Sequence, residues 1–256
     1  MTKGSRFSSN VPSDLRSWLE RGPFTLALSS SYFGFYAHAG LMQAFEEAGL
    51  RPAKLSGSSA GALVGAAWAS GMDAREVREL LFSVKRADFW DPGLGAGLLR
   101  GGKFRRLIAK HFVSRFEDTR IPFEVAVFDI LRARTEYVGR GDLPSAVVAS
   151  CAVPGLFHPV RREGRWLWDG GVFDKPGVNR AGAGDERILS VMLESGSKVA
   201  SWYERGVART THARDENWRE LRIEGLPQLN FTRLQLGPSA HEACLRKTHA
   251  ALGVLI

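Results

Sequence analysis

Hydrophobic and polar positions along this chain switch between a period of two and a period near 3.6. Residues 24–29, Phe-Thr-Leu-Ala-Leu-Ser, form an apolar run of strand length closed by a serine cluster. Next, Leu41, Ala44, Phe45 and Ala48 recur at helical spacing, with Gln43, Glu46 and Glu47 on the other face and Gly49 closing the helix. A short strand over Ala53–Ser56 leads through a Gly-rich turn into an Ala-rich helix from about Ala60 to Ser70. Asp73, with Glu76 three positions later, predicts a capping box at the start of another helix. Upstream, Ser13 is placed to cap a short helix that ends at Gly22 and is stopped by Pro23.

Further on, Phe123–Phe128 alternates as a strand, with Thr135–Val138 placed to pair with it, and Trp166–Trp168 and Ile188–Leu193 read as further strands. Ala240–Ala251 reads as a helix with Leu245 and Leu252 on its apolar face, which makes His241 and His249 surface residues. From Gly196 to Glu224 the pattern is mixed and charged and predicts no element. The early strand–helix–strand–helix order predicts an α/β fold, a three-layer sandwich with a largely parallel central sheet covered by helices. No internal repeat interrupts it, so residues 1–256 are expected to form a single domain.

Composition narrows the classes. A chain of 256 residues is long enough for one large core. Its apolar runs fall short of the roughly 18–20 residues that cross a bilayer. The polar stretch Met1–Glu20 lacks the apolar centre of a secretory signal, so a cytoplasmic location is expected. Cys151 and Cys244 make no disulfide framework and suit a reducing compartment. A net charge of +8 and a pI of about 9.9 favour anionic surfaces, nucleic acid or acidic lipid headgroups. No zinc-finger spacing, basic tail or aromatic RNA-binding signature accompanies the dispersed arginines, so nucleic acid is not expected as a partner. Peripheral contact with an anionic membrane and an ordinary solvated basic surface both remain.

The candidate chemistry starts at Gly57-Ser58-Ser59-Ala60-Gly61, a G-x-S-x-G pattern with a strand before it and a helix after it. Such a sharp turn lifts Ser59 above the sheet. Gly57 and Gly61 lie where a Cβ would clash, and the following helix aims its N–H groups at developing negative charge. The alternative is a tight turn whose glycines serve packing alone.

A serine nucleophile needs a base. The histidines are His38, His111, His158, His212, His241 and His249; a Ser…Asp…His order requires a late one on a post-strand loop, whereas His241 and His249 fall in a helix. Trp168-Asp169-Gly170-Gly171-Val172 offers a carboxylate at the end of an aromatic strand, where catalytic groups of open α/β sheets collect. Read alone, the same residues also fit an ordinary Asp-Gly hairpin turn.

Taken together, these segments resemble the patatin-like phospholipase family. The similarity is carried in order by Leu26–Ser29 through Ala37–Gly40 and Phe45–Gly49, by Gly57–Gly65, by Gly97–Lys103, by Ala149–Phe157 and by Asp169–Val172. It spans residues 24–178. The resemblance implies a Ser–Asp dyad of Ser59 and Asp169, an acyl-enzyme intermediate, and acyl esters of lipids as substrates. It implies no cofactor and no metal. A free aspartate, with a pKa near 3.9, is a poor base at neutral pH; apolar neighbours such as Trp166, Trp168 and Phe173 are expected to raise it.

One segment departs from the family. Where a glycine-rich oxyanion loop with a basic residue belongs, this chain has Ser30-Ser31-Tyr32-Phe33-Gly34-Phe35. Backbone N–H groups of Ser31, Tyr32, Phe33 and Gly34 are expected to serve as the oxyanion donors, with Gly34 taking the unusual dihedral. Two functions follow: a lipid acyl hydrolase, or a catalytically weak relative that binds lipid or a partner protein. Finally, Phe89–Leu99 reads either as a mobile apolar cover that meets lipid, with Trp90, Leu94, Leu98 and Leu99 inserting, or as a buried loop with core leucines.

Overall fold

The computed structural model describes residues 15–172, 174–177, 186–195, 216–230 and 232–254. In chain order the elements are α1 (Leu15–Glu20), β1 (Thr25–Leu28), α2 (Phe35–Glu47), β2 (Lys54–Ser58), α3 (Ala60–Ala69), α4 (Ala74–Ser83), α5 (Arg86–Phe89), β3 (Gly97–Leu99) and α6 (Gly102–His111). There follow β4 (Phe123–Asp129), β5 (Arg134–Val138), α7 (Leu143–Ser150), β6 (Gly155–Phe157), β7 (Val160–Arg162), β8 (Arg165–Asp169), β9 (Ile188–Ser195), β10 (Trp218–Leu226) and α8 (Gly237–Ala251). The α/β class holds: an eight-stranded sheet runs β10-β9-β1-β2-β4-β8-β7, with β5 also on β4, and helices flank it.

The five strands from β10 to β4 are parallel throughout. β1 lies in their middle with all four residues buried, which explains its unbroken apolar sequence. Beyond them the sheet turns antiparallel through β4, β5, β8 and β7. β4 shares one edge between two partners. Ser58, the last residue of β2, lies opposite Ala126, and Asp169, the last residue of β8, lies opposite Val127. Two chain ends running in opposite directions therefore meet over one residue step of β4.

Helices fill the remainder of the core. α3 is so rich in small apolar residues that nearly all of it is buried. α2 starts at Phe35, well before its amphipathic stretch, and buries His38, Leu41, Met42, Ala44 and Phe45. The Asp73–Glu76 capping box forms: Asp73 Oδ1 accepts the Glu76 N–H at 2.7 Å and Glu76 Oε2 accepts the Asp73 N–H at 2.9 Å.

Several expectations are corrected. His241 and His249 are not surface residues; they are 4 % and 6 % exposed, because α8 lies against α2. There Gly40 of α2 brings its Cα close under the His241 carbonyl, and His249 Nε2 lies 2.9 Å from Glu47. The stretch that predicted no element contributes β10, whose hydrophobic residues Trp218, Leu221, Ile223 and Leu226 are buried. The Asp169 turn is a short 3-10 segment, Gly170–Val172, rather than a hairpin. The Phe89–Leu99 stretch divides between its two readings, with Leu99 in the core while Leu94 is 99 % and Leu98 48 % exposed. The Ser13 cap, Phe173, His212 and the stretch 196–215 lie outside the described residues.

The α2–α8 contact yields a test. A Cβ at position 40 meets the His241 backbone, which cannot yield without moving the helix. Gly40→Ala is expected to destabilise the protein by about 1–3 kcal/mol in urea unfolding, with little effect on the slope. A loss below about 0.5 kcal/mol would show that the two helices do not approach so closely.

Candidate active site

The turn between β2 and α3 holds Ser59 in a conformation that few side-chain residues adopt, φ 50° and ψ −115°. The neighbourhood permits it because glycines stand where the chain crowds itself. A Cβ on Gly57 would lie 2.7 Å from the Gly61 backbone, and one on Gly61 would run into the Leu28 backbone. Both peptide groups of the nucleophile candidate are held by the end of α7. Ser150 Oγ accepts the Ser59 N–H at 2.9 Å, and the Cys151 thiol donates to the Ser59 carbonyl at 3.2 Å. Because Ser150 occupies the Ser59 N–H, the N–H groups left for an oxyanion begin with Ala60, in the first turn of α3.

Asp169 arrives from the opposite direction at the end of β8 and is 1 % exposed. The Ser59 hydroxyl lies beside its carboxyl and favours the anion, and Asp169 Oδ1 accepts the Gly171 N–H at 2.7 Å. Gly170 and Gly171 are required by close approach, since a Cβ on the first meets the Ala126 backbone and one on the second meets Ser30. Burial pushes the Asp169 pKa up to about 7; the hydrogen bonds from Ser59 and Gly171 pull the other way and do not offset it. The same burial, together with the Asp169 charge, raises the Cys151 thiol well above its ordinary value.

The loop Ser30–Phe35 completes one wall. The dihedral assignment is corrected: Phe33 takes the left-handed conformation, at φ 56°, while Gly34 is right-handed at φ −74°. Gly34 is needed for a different reason, because a Cβ there would lie 2.5 Å from that of Ser31. Its N–H donates to the Ser31 carbonyl at 3.1 Å, so it does not serve as an oxyanion donor. Ser31, Tyr32 and Phe33 do line the cavity with Ser59 and Asp169, whereas Gly34 does not. Phe33 is steadied by edge contact with Tyr32 and by Phe35, at ring separations of 4.9 and 5.7 Å.

That cavity has a volume of about 870 Å³. Beyond the polar corner its wall is apolar, built from Leu63, Val64 and Ala67 of α3, Val77, Leu80 and Leu81 of α4, and Phe104, Leu107 and Ile108 of α6, with Phe89, Leu156 and Phe157. Among the described residues no histidine lines it. His38 instead places Nε2 2.8 Å from the Ser29 carbonyl, and burial lowers its pKa to about 4. His158 sits against the Gly93 carbonyl at 3.3 Å. Among the described residues no group of three or more His, Cys, Asp or Glu could hold a metal ion. No helix among them is long and apolar enough to cross a membrane.

Sequence reasoning missed Ser150, Cys151, Ala60 and Lys175 as site residues. The first two lie within Ala149–Phe157, which stood out only as a block, and no local spacing ties them to an elbow about ninety residues away. Lys175 lines the cavity and its carbonyl accepts the Ser30 N–H at 2.9 Å.

Comparison with known proteins gives the family and the fold. The chain is 32 % identical over 211 residues to an uncharacterised NTE family protein of Mycobacterium tuberculosis, covering 73 % of this chain and 56 % of that protein. It is 32 % identical over 168 residues to a lysophospholipase of Aspergillus fumigatus, covering 62 % of this chain and 11 % of that one. It thus spans little more than half of the mycobacterial relative and about a tenth of the Aspergillus one. In fold it is similar to VipD from Legionella pneumophila, with a TM-score of 0.65 at 14 % identity over 90 % of this chain and 67 % of that chain. The model of the patatin-like phospholipase family matches residues 26–181, and the chain belongs to that family.

Proposed function

We propose that this protein is a lipid acyl hydrolase that uses Ser59 as nucleophile and Asp169 as base. The observation that carries the reading is the Ser59 hydroxyl beside a buried carboxyl whose pKa is raised to about 7, both lining the polar corner of an apolar cavity. A carboxylate with that pKa is a far better proton acceptor at neutral pH than an exposed aspartate. As Ser59 Oγ bonds to the ester carbonyl carbon, its proton passes to Asp169 and the carbonyl oxygen takes up the charge. The Ala60 N–H and the backbone of Ser31 and Tyr32 are the proposed oxyanion donors, beside the positive end of α3. When the tetrahedral species collapses, the ester C–O bond breaks and the leaving alkoxide takes the proton from Asp169. Water, deprotonated by the same carboxylate, then adds to the acyl-enzyme; the Ser59 Oγ–acyl bond breaks, Ser59 takes the proton back from Asp169, and the fatty acid is released.

The altered loop does not argue for a merely lipid-binding relative. Phe33 reaches a left-handed conformation without glycine, and Ser31 and Tyr32 still border the cavity beside Ser59. Exposed Leu94 and Leu98, near Arg86 and Arg100, support shallow contact with an anionic membrane.

Three outcomes test these statements. Ser59→Ala is expected to abolish both ester turnover and the adduct with a fluorophosphonate, and mass mapping should place the wild-type adduct on Ser59. An adduct on Ser58 would refute the assignment. Second, Asp169 must be ionised to act, so kcat/KM should fall about tenfold per pH unit below pH 7 and level off above it. Asp169→Asn should lose at least about a thousandfold in kcat yet melt at or above the wild-type temperature at pH 8. The sign follows from linkage: a carboxyl raised from 3.8 to about 7 on folding loses native stability as pH rises through that window, and the amide removes the loss. Third, Leu94→Ser should lower hydrolysis of anionic vesicles severalfold relative to a soluble short-chain ester; an equal change on both substrates would count against membrane contact.

A further inference from the structure

The cavity beside Ser59 is polar at one end only. Ser31, Asp169 and Lys175 belong to segments that converge on the elbow, through the Ser30–Lys175 hydrogen bond and the Ser59–Asp169 pair. Away from that corner the wall follows two helices. α3 departs directly from Ser59 and presents Leu63, Val64 and Ala67 to the cavity, a stripe at helical spacing. Ala67 is eight residues beyond Ser59, so the stripe is about 12 Å long, the reach of roughly ten methylenes. After the connection Ser70–Asp73, α4 adds Val77, Leu80 and Leu81 to the same cavity wall. The Val113 N–H donates to Ser70 Oγ at 3.2 Å and draws Phe112 toward the end of α3. Ala67, Val77, Ile108 and Phe112 are all buried and line this apolar limb of the cavity.

We propose that this limb is a gauge for the acyl chain, accepting chains up to about ten to twelve carbons, with Ala67 the residue that sets its depth. The proposal rests on Ser59 being the point of acyl attack and goes beyond it by naming the acyl length and the residue that governs it. Burial per methylene gives the expected dependence. Each carbon that enters the limb raises transition-state binding roughly fourfold, and carbons past the floor add little. Ala67 is placed to set the depth because it lines the cavity two turns beyond Ser59 and is smaller than Val77, Ile108 and Phe112, which line the same cavity; a bulkier side chain at position 67 projects into the limb. A carboxylic ester end group is held by the polar corner in every case, so chain length and chemistry are separable.

The test is a series of p-nitrophenyl esters from four to sixteen carbons with wild type, Ala67→Leu and Ile108→Phe. In the wild type kcat/KM should climb through about ten to twelve carbons and then level. In either variant the ratio of the twelve-carbon to the six-carbon rate should fall at least about tenfold. Circular dichroism identifies any variant that fails to fold, and the two positions give independent routes to the same result. Displacement of a fluorescent fatty acid from Ser59→Ala, alone and with Ala67→Leu, reads the same gauge without turnover. Fatty-acid affinity should rise to the same length and break two or three carbons earlier in the double variant. Length-dependent affinity in a protein that hydrolyses no ester would sink the hydrolase reading and leave the gauge standing. An active wild type with flat rates from four to twelve carbons, or folded variants with an unshifted break, would overturn the gauge.

Discussion

The site depends on one edge of one strand. β4 pairs in parallel with β2 as far as Ala126 and antiparallel with β8 from Val127 onward, so Ser58 and Asp169 stand at consecutive rungs of the same ladder. Backbone hydrogen bonding thus fixes the approach of two residues 111 positions apart in sequence. Everything else at the site is consequence. Gly170 must lack a Cβ because the β8 end turns directly over Ala126, and Gly57 and Gly61 must lack one because the β2 end turns directly into α3. Ser150 and Cys151, at the end of a helix packed on β4, are then close enough to take both peptide groups of Ser59.

Activity and stability pull against each other at this ladder. A buried carboxyl that resists ionisation and a serine at φ 50° both disfavour the native state. The surroundings over-determine them: β1 and α3 are almost wholly buried, and the turn is held from two sides by hydrogen bonds. The strain has a use. Desolvation is what carries Asp169 to a pKa of about 7, and the sharp turn is what presents the serine hydroxyl to it.

Much of this was legible from residues alone, where local chemistry decides. The elbow, the Asp73 capping box, the strands around Phe123 and Ile188, and the place of Asp169 at a strand end were all readable from spacing, turn residues or family resemblance. What was not legible depended on neighbours distant in sequence. Glycine at position 34 reads as the residue for a left-handed turn, yet packing of Phe33 between Tyr32 and Phe35 moves the dihedral one residue earlier. His241 and His249 follow a helical surface pattern, and the packing of α8 on α2, close at Gly40, buries them. β10 carries charges on alternate positions, including Arg222 against Glu194, and so hides an otherwise ordinary buried strand.

The protonation of Asp169 is the quantity on which the chemistry turns. Difference infrared spectroscopy of wild type minus Asp169→Asn across pH isolates its carboxyl band. The account predicts a protonated carbonyl stretch that disappears with a midpoint near pH 7, and a higher midpoint in Ser59→Ala, where the hydroxyl no longer stabilises the anion. A band already ionised near pH 4, or a midpoint indifferent to Ser59, would contradict it.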